Sequence, residues 1–307
     1  MLVAVALAWA TSSGDVTTVP DGTATAVEEI VVSSPEPRYV APTTRDRVGR
    51  IWAPVLIDGK GPYRLVLDTG ASRSAVIPAV VRELGLPVRV EGTWLRGITG
   101  SAKTSTVHVG RFEVGELVAD DVELLVVADA FGGAQGVLGG EDLGDKRIVI
   151  EFRNDRITIV RSHRQPAPGG YSIVPFDYAL RRGMRTNVWV GRVKATAIID
   201  TGSQVTVGNL ALRQALARPG AASDRYDDRI IGVTLDVQEA ATAVIPSIVA
   251  GEVIVHNAPI LFSDLDIFRH WNLDGAPALL IGMDVLGALD TLIIDYKRRE
   301  LQVRVRS

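Results

Sequence analysis

At 307 residues, 47% hydrophobic and 22% charged, the chain can bury a sizeable core. A net charge of −3 with no dense basic stripe leaves no footprint for a nucleic-acid partner. The absence of cysteine excludes disulfides, thiol nucleophiles and thiolate metal sites.

Residues 1–10, MLVAVALAWA, form a short apolar stretch ending in Ala8-Trp9-Ala10, which fits a small-x-small cleavage site. A bilayer-spanning helix needs about 20 residues, so this stretch is read as a signal peptide and not as a stable membrane anchor. The basic residues that usually precede such a segment are missing, which leaves an upstream start open. The expected location is periplasmic or secreted. Residues 11–45 are rich in Thr, Ser, Pro and Ala without a sustained period, and read as a disordered leader, either propeptide or linker.

A folded part is expected from about residue 46. Trp52 to Ile57 reads as a strand, Asp58 to Pro62 as turn chemistry, and Tyr63 to Leu67 as the returning strand. That strand delivers Leu65-Val66-Leu67 onto Asp68-Thr69-Gly70-Ala71. A run rich in Val, Ile and Leu reads as a strand buried on both faces. An aspartate at its end is costly unless it is paired, hydrogen-bonded or protonated. A helix-compatible stretch, Pro78 to Leu84, follows. Glu91 to Ser101 then forms a hairpin whose tip, Gly97-Ile98-Thr99-Gly100, is glycine-rich enough to act as a mobile flap over a substrate. Trp94 beside it is a candidate for a side-chain pocket or for plain core filling. Next come Gly136-Val137-Leu138-Gly139 and the strand-like segments Ile148 to Arg153 and Ile157 to Ile159. Ser162 to Gly170 is a linker by composition, and 162–171 is taken as the boundary between two halves.

The second half, 172–307, writes the same series again. Arg185 to Val190, a turn at Gly191-Arg192 and Val193 to Ile199 lead to Asp200-Thr201-Gly202-Ser203, 132 residues after the first aspartate (68 to 200). Asn209 to Leu216 is the matching helix. Leu280-Ile281-Gly282 then follows Gly139 by 143 residues, ahead of Leu292 to Lys297 and Leu301 to Val303. A nearly constant offset implies an internal duplication with about a dozen residues inserted in the second middle region. The second half offers Arg229 to Thr234 as its hairpin, with one glycine, so the first-half hairpin is expected to be the working flap. Two aspartates on matched frames suggest a pair that shares a proton. Glu141, Asp142 and Asp284 beside the glycine loops are read as structural acids that cap a following short helix. The four histidines have no metal-ligand spacing and are read as surface or loop residues. No metal and no cofactor is expected.

The order of apolar strand, Asp-Thr-Gly, glycine hairpin, apolar-apolar-Gly and closing strands resembles the aspartic protease family. It is most similar to its single-chain, two-lobed bacterial retropepsin-like members, over residues 46 to 306. The resemblance implies an all-β fold of two retropepsin-like β-barrel lobes, 46–161 and 172–307, related by a pseudo-twofold axis and carrying short helices. It implies Asp68 and Asp200 as the catalytic pair. Thr69 and Thr201 would brace the pair across the lobe interface, with Gly70, Gly202 and Ser203 in support. The expected activity is aspartic endopeptidase hydrolysis of a protein or peptide substrate, by a monomer, since one chain carries both lobes. A catalytically silent relative that binds a peptide or partner protein in the inter-lobe cleft stays open as the alternative.

The copies differ after the glycine, with Ala71 in the first and Ser203 in the second. A Ser203 hydroxyl donating to the dyad would favour the charged form, and Ala71 has none to donate. The expected activity optimum is therefore less acidic than with hydroxyls in both copies, and a profile peaking below about pH 3 would contradict it.

Overall fold

The computed structural model describes residues 2–3, 31–33 and 51–306, apart from 115–116, 141–142, 155, 180–182 and 218–227. Most of the expected signal peptide and leader lies outside the described residues, as do Glu141 and Asp142. Leu2–Val3 pairs with Leu95 and Arg96, and Val31–Ser33 pairs with Ile254 to His256.

Trp52–Ile57 buries Ala53, Val55 and Ile57 and turns its alternate residues outward, the period-two pattern of a strand with one core face. The turn after it is tighter than the sequence suggests. Asp58 and Gly59 both take positive φ, 50° and 73°, and the returning strand Lys60–Leu67 already includes Gly61 and Pro62. Two left-handed residues match the right-handed twist of the flanking strands, which favours a two-residue turn.

Each half closes a barrel of six strands in the same order. In the first, Ser101–Val114 pairs with Trp52–Ile57, then Lys60–Leu67, Gly136–Leu138, Ala75–Val76 and Leu117–Val126, which pairs back with Ser101–Val114. In the second, Val237–Ala250 pairs with Gly183–Val190, then Val193–Ile199, Ala278–Ile281, Val207–Gly208 and Val253–Phe262, which pairs back with Val237–Ala250. Closure removes free sheet edges, and the inward-facing aliphatic residues fill each interior. The fold is thus all-β in two barrel lobes. Short helices sit at Pro78–Leu84, Leu210–Leu216, Asp266–His270 and Met283–Leu286. Asn209 caps the second, its side chain accepting from Leu212 N at 2.8 Å. The helix Asp266–His270 leaves no trace in the sequence pattern, being too short for a 3.6-residue period to show.

The closing hairpins do not belong to the barrels. Lys146–Glu151 and Arg156–Arg161 from the first half join Thr291–Asp295, Glu300–Arg304 and Ser172–Pro175 in one five-stranded sheet. Lys146–Glu151 runs antiparallel to Thr291–Asp295, with Ile148 opposite Ile294. This sheet ties the lobes together by main-chain bonds. A buried ion pair crosses it: Arg147 Nη1 donates to Asp295 Oδ2 at 2.9 Å and Arg147 Nη2 to Gln302 Oε1 at 2.8 Å. Ser162 Oγ and Arg298 N donate to Asp295 Oδ1. A buried charge is tolerable only when its lone pairs are answered in this way.

Candidate active site

The strands that carry the aspartates are held from one side by the apolar-apolar-Gly segments. Val66 lies opposite Val137 and Ile198 opposite Leu280, both in parallel register. Asp68 N donates to Leu138 O and Asp200 N to Ile281 O, each at 3.0 Å. The glycines that follow are needed because another segment threads past them. A Cβ on Gly139 would lie 2.4 Å from the Arg73 carbonyl carbon, and one on Gly282 would lie 2.5 Å from Val205 O. Backbone bonds lock the crossing in both halves, Gly140 N to Ala71 O and Met283 N to Ser203 O.

The two Asp-Thr-Gly turns meet. Thr69 Oγ1 donates to Ile199 O at 2.8 Å and accepts from Thr201 N at 3.1 Å. Thr201 Oγ1 donates to Leu67 O at 2.6 Å and accepts from Thr69 N at 3.2 Å. Each threonine thus bonds the backbone of the opposite half, twice. Gly70 N and Ala71 N both donate to Asp68 Oδ1 at 2.8 Å, and Gly202 N and Ser203 N donate to Asp200 Oδ1 at 2.9 and 3.2 Å. Each carboxyl also lies against the other half's glycine. A Cβ on Gly202 would stand 2.2 Å from Asp68 Cγ, and one on Gly70 would stand 2.7 Å from Asp200 Oδ2. Asp68, Thr69, Gly70, Asp200, Thr201, Gly202 and Ser203 are therefore brought together in one buried cluster.

Asp68 and Asp200 are both 0% exposed. Among the described residues no N–H or hydroxyl outside the dyad reaches Asp200 Oδ2. Burial pushes the Asp200 carboxyl well above its ordinary range, the Asp68 charge pushes it further, and the two backbone N–H bonds only partly oppose this. Two carboxyls so placed resist ionising together, and burial together with the Asp68 charge favours the protonated form of Asp200.

Ser203 acts differently from the sequence expectation. Its hydroxyl donates to Val205 O at 2.8 Å and not to the dyad, so its support of Asp200 comes from its backbone N–H alone. The carbonyl two residues on lies in the turn the serine itself begins, and a local partner wins the proton. The dyad thus receives no hydroxyl bond from Ser203 either, so nothing from that side chain offsets the upward push of burial on Asp200.

Asp284 is structural. Thr206 N donates to its Oδ2 at 2.8 Å, and Thr206 Oγ1 and Val285 N to its Oδ1 at 2.7 and 2.8 Å, so it ties the crossing strand to the first turn of Met283–Leu286. Burial outweighs those bonds and raises its carboxyl to about 6 from 3.8. A folded-state value above the unfolded one means stability that is complete below the unfolded value and lost as pH rises through about 6. The loss amounts to at most about 3 kcal/mol. Urea unfolding between about pH 4 and pH 7 should show a falling midpoint in the natural chain and a flatter one in Asp284→Asn. Equal slopes would assign the pH dependence elsewhere, since Asp200 contributes with the same sign.

The flap is closed. Val88–Arg96 and Ser101–Val114 carry the tip Gly97 to Gly100 into the other half, where Ile98 is 0% exposed in a cluster with Ile230, Leu265, Phe268 and Ile198. Ile267 N donates to Ile98 O at 3.3 Å, Gly232 N to Thr99 Oγ1 at 3.1 Å and Gln238 Nε2 to Thr99 O at 3.4 Å. Gly100 leaves room for the Asp236 carboxylate, which a Cβ would overlap. The opposing tip, Gly232-Val233-Thr234, is thus part of the same roof, and Val233 is 1% exposed. Glycine count alone hides this second tip, although Gly-Ile-Thr against Gly-Val-Thr is a legible match in the sequence. Trp94 fills neither core nor pocket: it is 53% exposed, with the Lys103 ammonium above its ring. His270 is not a plain surface residue either, being half-buried on Asp266–His270 with Nδ1 at 2.5 Å from Arg96 Nη1. Thr99→Val should remove one latch bond worth about 1 kcal/mol and speed amide exchange at Gly232 about fivefold. Unchanged exchange would mean that Ile98 and the remaining backbone bonds hold the tip without the Thr99 hydroxyl.

A family model described as aspartyl protease matches residues 53–141, from the first core strand to the glycine loop after Asp68. No curated protein matches the chain. The matched region contains the first Asp-Thr-Gly and the first flap. The second half lies outside it and reproduces its strand order, its turn and its glycine crossing.

Proposed function

We propose, for a chain that belongs to the aspartic protease family, that it is an endopeptidase in which Asp68 and Asp200 activate water against a peptide bond. The observation that carries the reading is the pair of fully buried carboxyls, held together by reciprocal threonine bonds, with the Asp200 carboxyl pushed well above its ordinary range by burial and by Asp68. Hydrolysis of an amide needs a base for the attacking water and an acid for the departing nitrogen, and one carboxylate beside one carboxylic acid supplies both. Asp68 takes a proton from water as its oxygen adds to the carbonyl carbon, and the Asp200 proton passes to the carbonyl oxygen. The proton gained by Asp68 then goes to the amide nitrogen as the C–N bond breaks, and one hydroxyl of the diol returns its proton to Asp200 as the carboxylic acid forms. Activity falls as pH rises through the raised Asp200 value, because the acid that the carbonyl oxygen needs is then lost.

The buried roof means that a substrate enters only when the hairpins lift. An extended peptide then lies below them, its backbone paired with the flap strands. The apolar stretch Met1 to Ala10 supports work in the periplasm or outside the cell. The sealed dyad also suits a silent binding protein that never admits water. Cleavage of casein across about pH 3 to pH 7 separates the two readings. Proteolysis that a transition-state mimic such as pepstatin blocks supports the enzyme, and intact casein at every pH with tight peptide binding supports the silent reading.

A further inference from the structure

Beside the flap lies a cleft of about 330 Å³, between the shoulder of the first hairpin and the helix Asp266–His270 of the other half. Arg96, Ser101, Asp266, Arg269 and His270 line it. The charges divide unevenly. Arg269 is committed to Asp264 and Asp266, with ion pairs to both. Arg96 has no carboxylate partner among the described residues; its one bond there is to the ring nitrogen of His270. Burial and the Arg96 charge both lower the His270 value, so that ring is neutral near pH 7 and leaves the guanidinium uncompensated. The other N–H donors of this planar fork are unused among the described residues, and the fork matches a carboxylate in two places at once.

Arg96 ends the strand that leads directly to the tip Gly97 to Gly100, and Gly97 itself lines the cleft, so the cleft adjoins the hairpin with which an extended chain would pair. Side chains along such a chain alternate sides, and one of them faces this cleft. We propose that the cleft is a subsite for an acidic side chain, Asp or Glu, of the peptide substrate, with Arg96 as its ion partner and His270 as the placeholder that it displaces. This rests on the peptide-cleft reading above and adds to it the chemical class that the cleft selects. Asp266 does not compete, because Arg269 already holds it.

The experiment uses the full chain and paired peptides that differ only in Glu against Gln, scanned through each position around the cleaved bond. The natural chain should cleave the Glu member about tenfold better at one position. In Arg96→Gln that ratio should fall to about one, and in Arg96→Glu it should turn in favour of Lys at the same position. The ratio is internal to each protein, so a partly misfolded variant does not imitate the result. A ratio of one at every position in the natural chain, or a Glu preference that survives Arg96→Gln, overturns the proposal. Binding of the same fluorescent peptides to Asp200→Asn separates this from the protease reading. A Glu preference in binding that Arg96→Gln abolishes supports the subsite even if nothing is cleaved, and equal binding of Glu and Gln peptides overturns it.

Discussion

Asp200→Asn should abolish proteolysis, by at least ~10³-fold in kcat/KM, while the fold persists. The amide has the shape of the carboxylic acid and its oxygen can still accept from Gly202 N and Ser203 N, the two bonds that orient Asp200 Oδ1. What it cannot do is give up or regain a proton. Stability should hold or rise near neutral pH, because the natural side chain there is a buried acid whose charged form is penalised by burial and by Asp68. A thermal melt and a cleavage assay on one preparation check both halves of the expectation. Retained cleavage would remove Asp200 from the chemistry, whereas lost cleavage with a large drop in melting temperature would leave its role as acid undecided from its role in folding.

Gly202→Ala should be as damaging to activity and costly to the fold as well. The added Cβ would stand 2.2 Å from Asp68 Cγ and 2.4 Å from its Oδ2, closer than such atoms approach, and neither side of the contact is free to swing away. Asp68 is held by Gly70 N and Ala71 N, and the Gly202 turn is held by the threonine bonds. Forcing extra volume into a packed interior costs about 1–3 kcal/mol, and a shift of about 1 Å in a reacting group costs roughly a hundredfold in rate. Gly70→Ala meets Asp200 Oδ2 at 2.7 Å and should be the milder of the two. Gly275→Ala, with nothing within 4 Å, serves as the neutral control. Urea midpoints and kcat/KM for the three should fall in that order. A Gly202→Ala chain as active as the control would mean that the two turns stand farther apart than this contact implies.

Much of this is legible without coordinates. The strands Trp52–Ile57, Gly183–Val190 and Val193–Ile199 and the helix Pro78–Leu84 follow from period and turn residues. The two Asp-Thr-Gly turns stand out because each is preceded by an apolar strand and followed by an apolar-apolar-Gly segment. The sequence is less informative where a side chain has several partners within reach. Ser203 has a carboxylate and a carbonyl to choose from, and the carbonyl of Val205 is nearer along its own turn. Arg96 and His270 lie 174 residues apart, and nothing local joins them.

The sequence by itself determined two similar β units and an aspartate at the end of a buried strand in each, because burial period and turn chemistry are properties of a few consecutive residues. Only the tertiary structure decided that the two carboxyls meet in one buried cluster, that the two hairpin tips pack against each other, and that the terminal hairpins merge into one sheet. Those outcomes depend on distances between segments more than a hundred residues apart, and on water being excluded between them, which no short window of residues encodes.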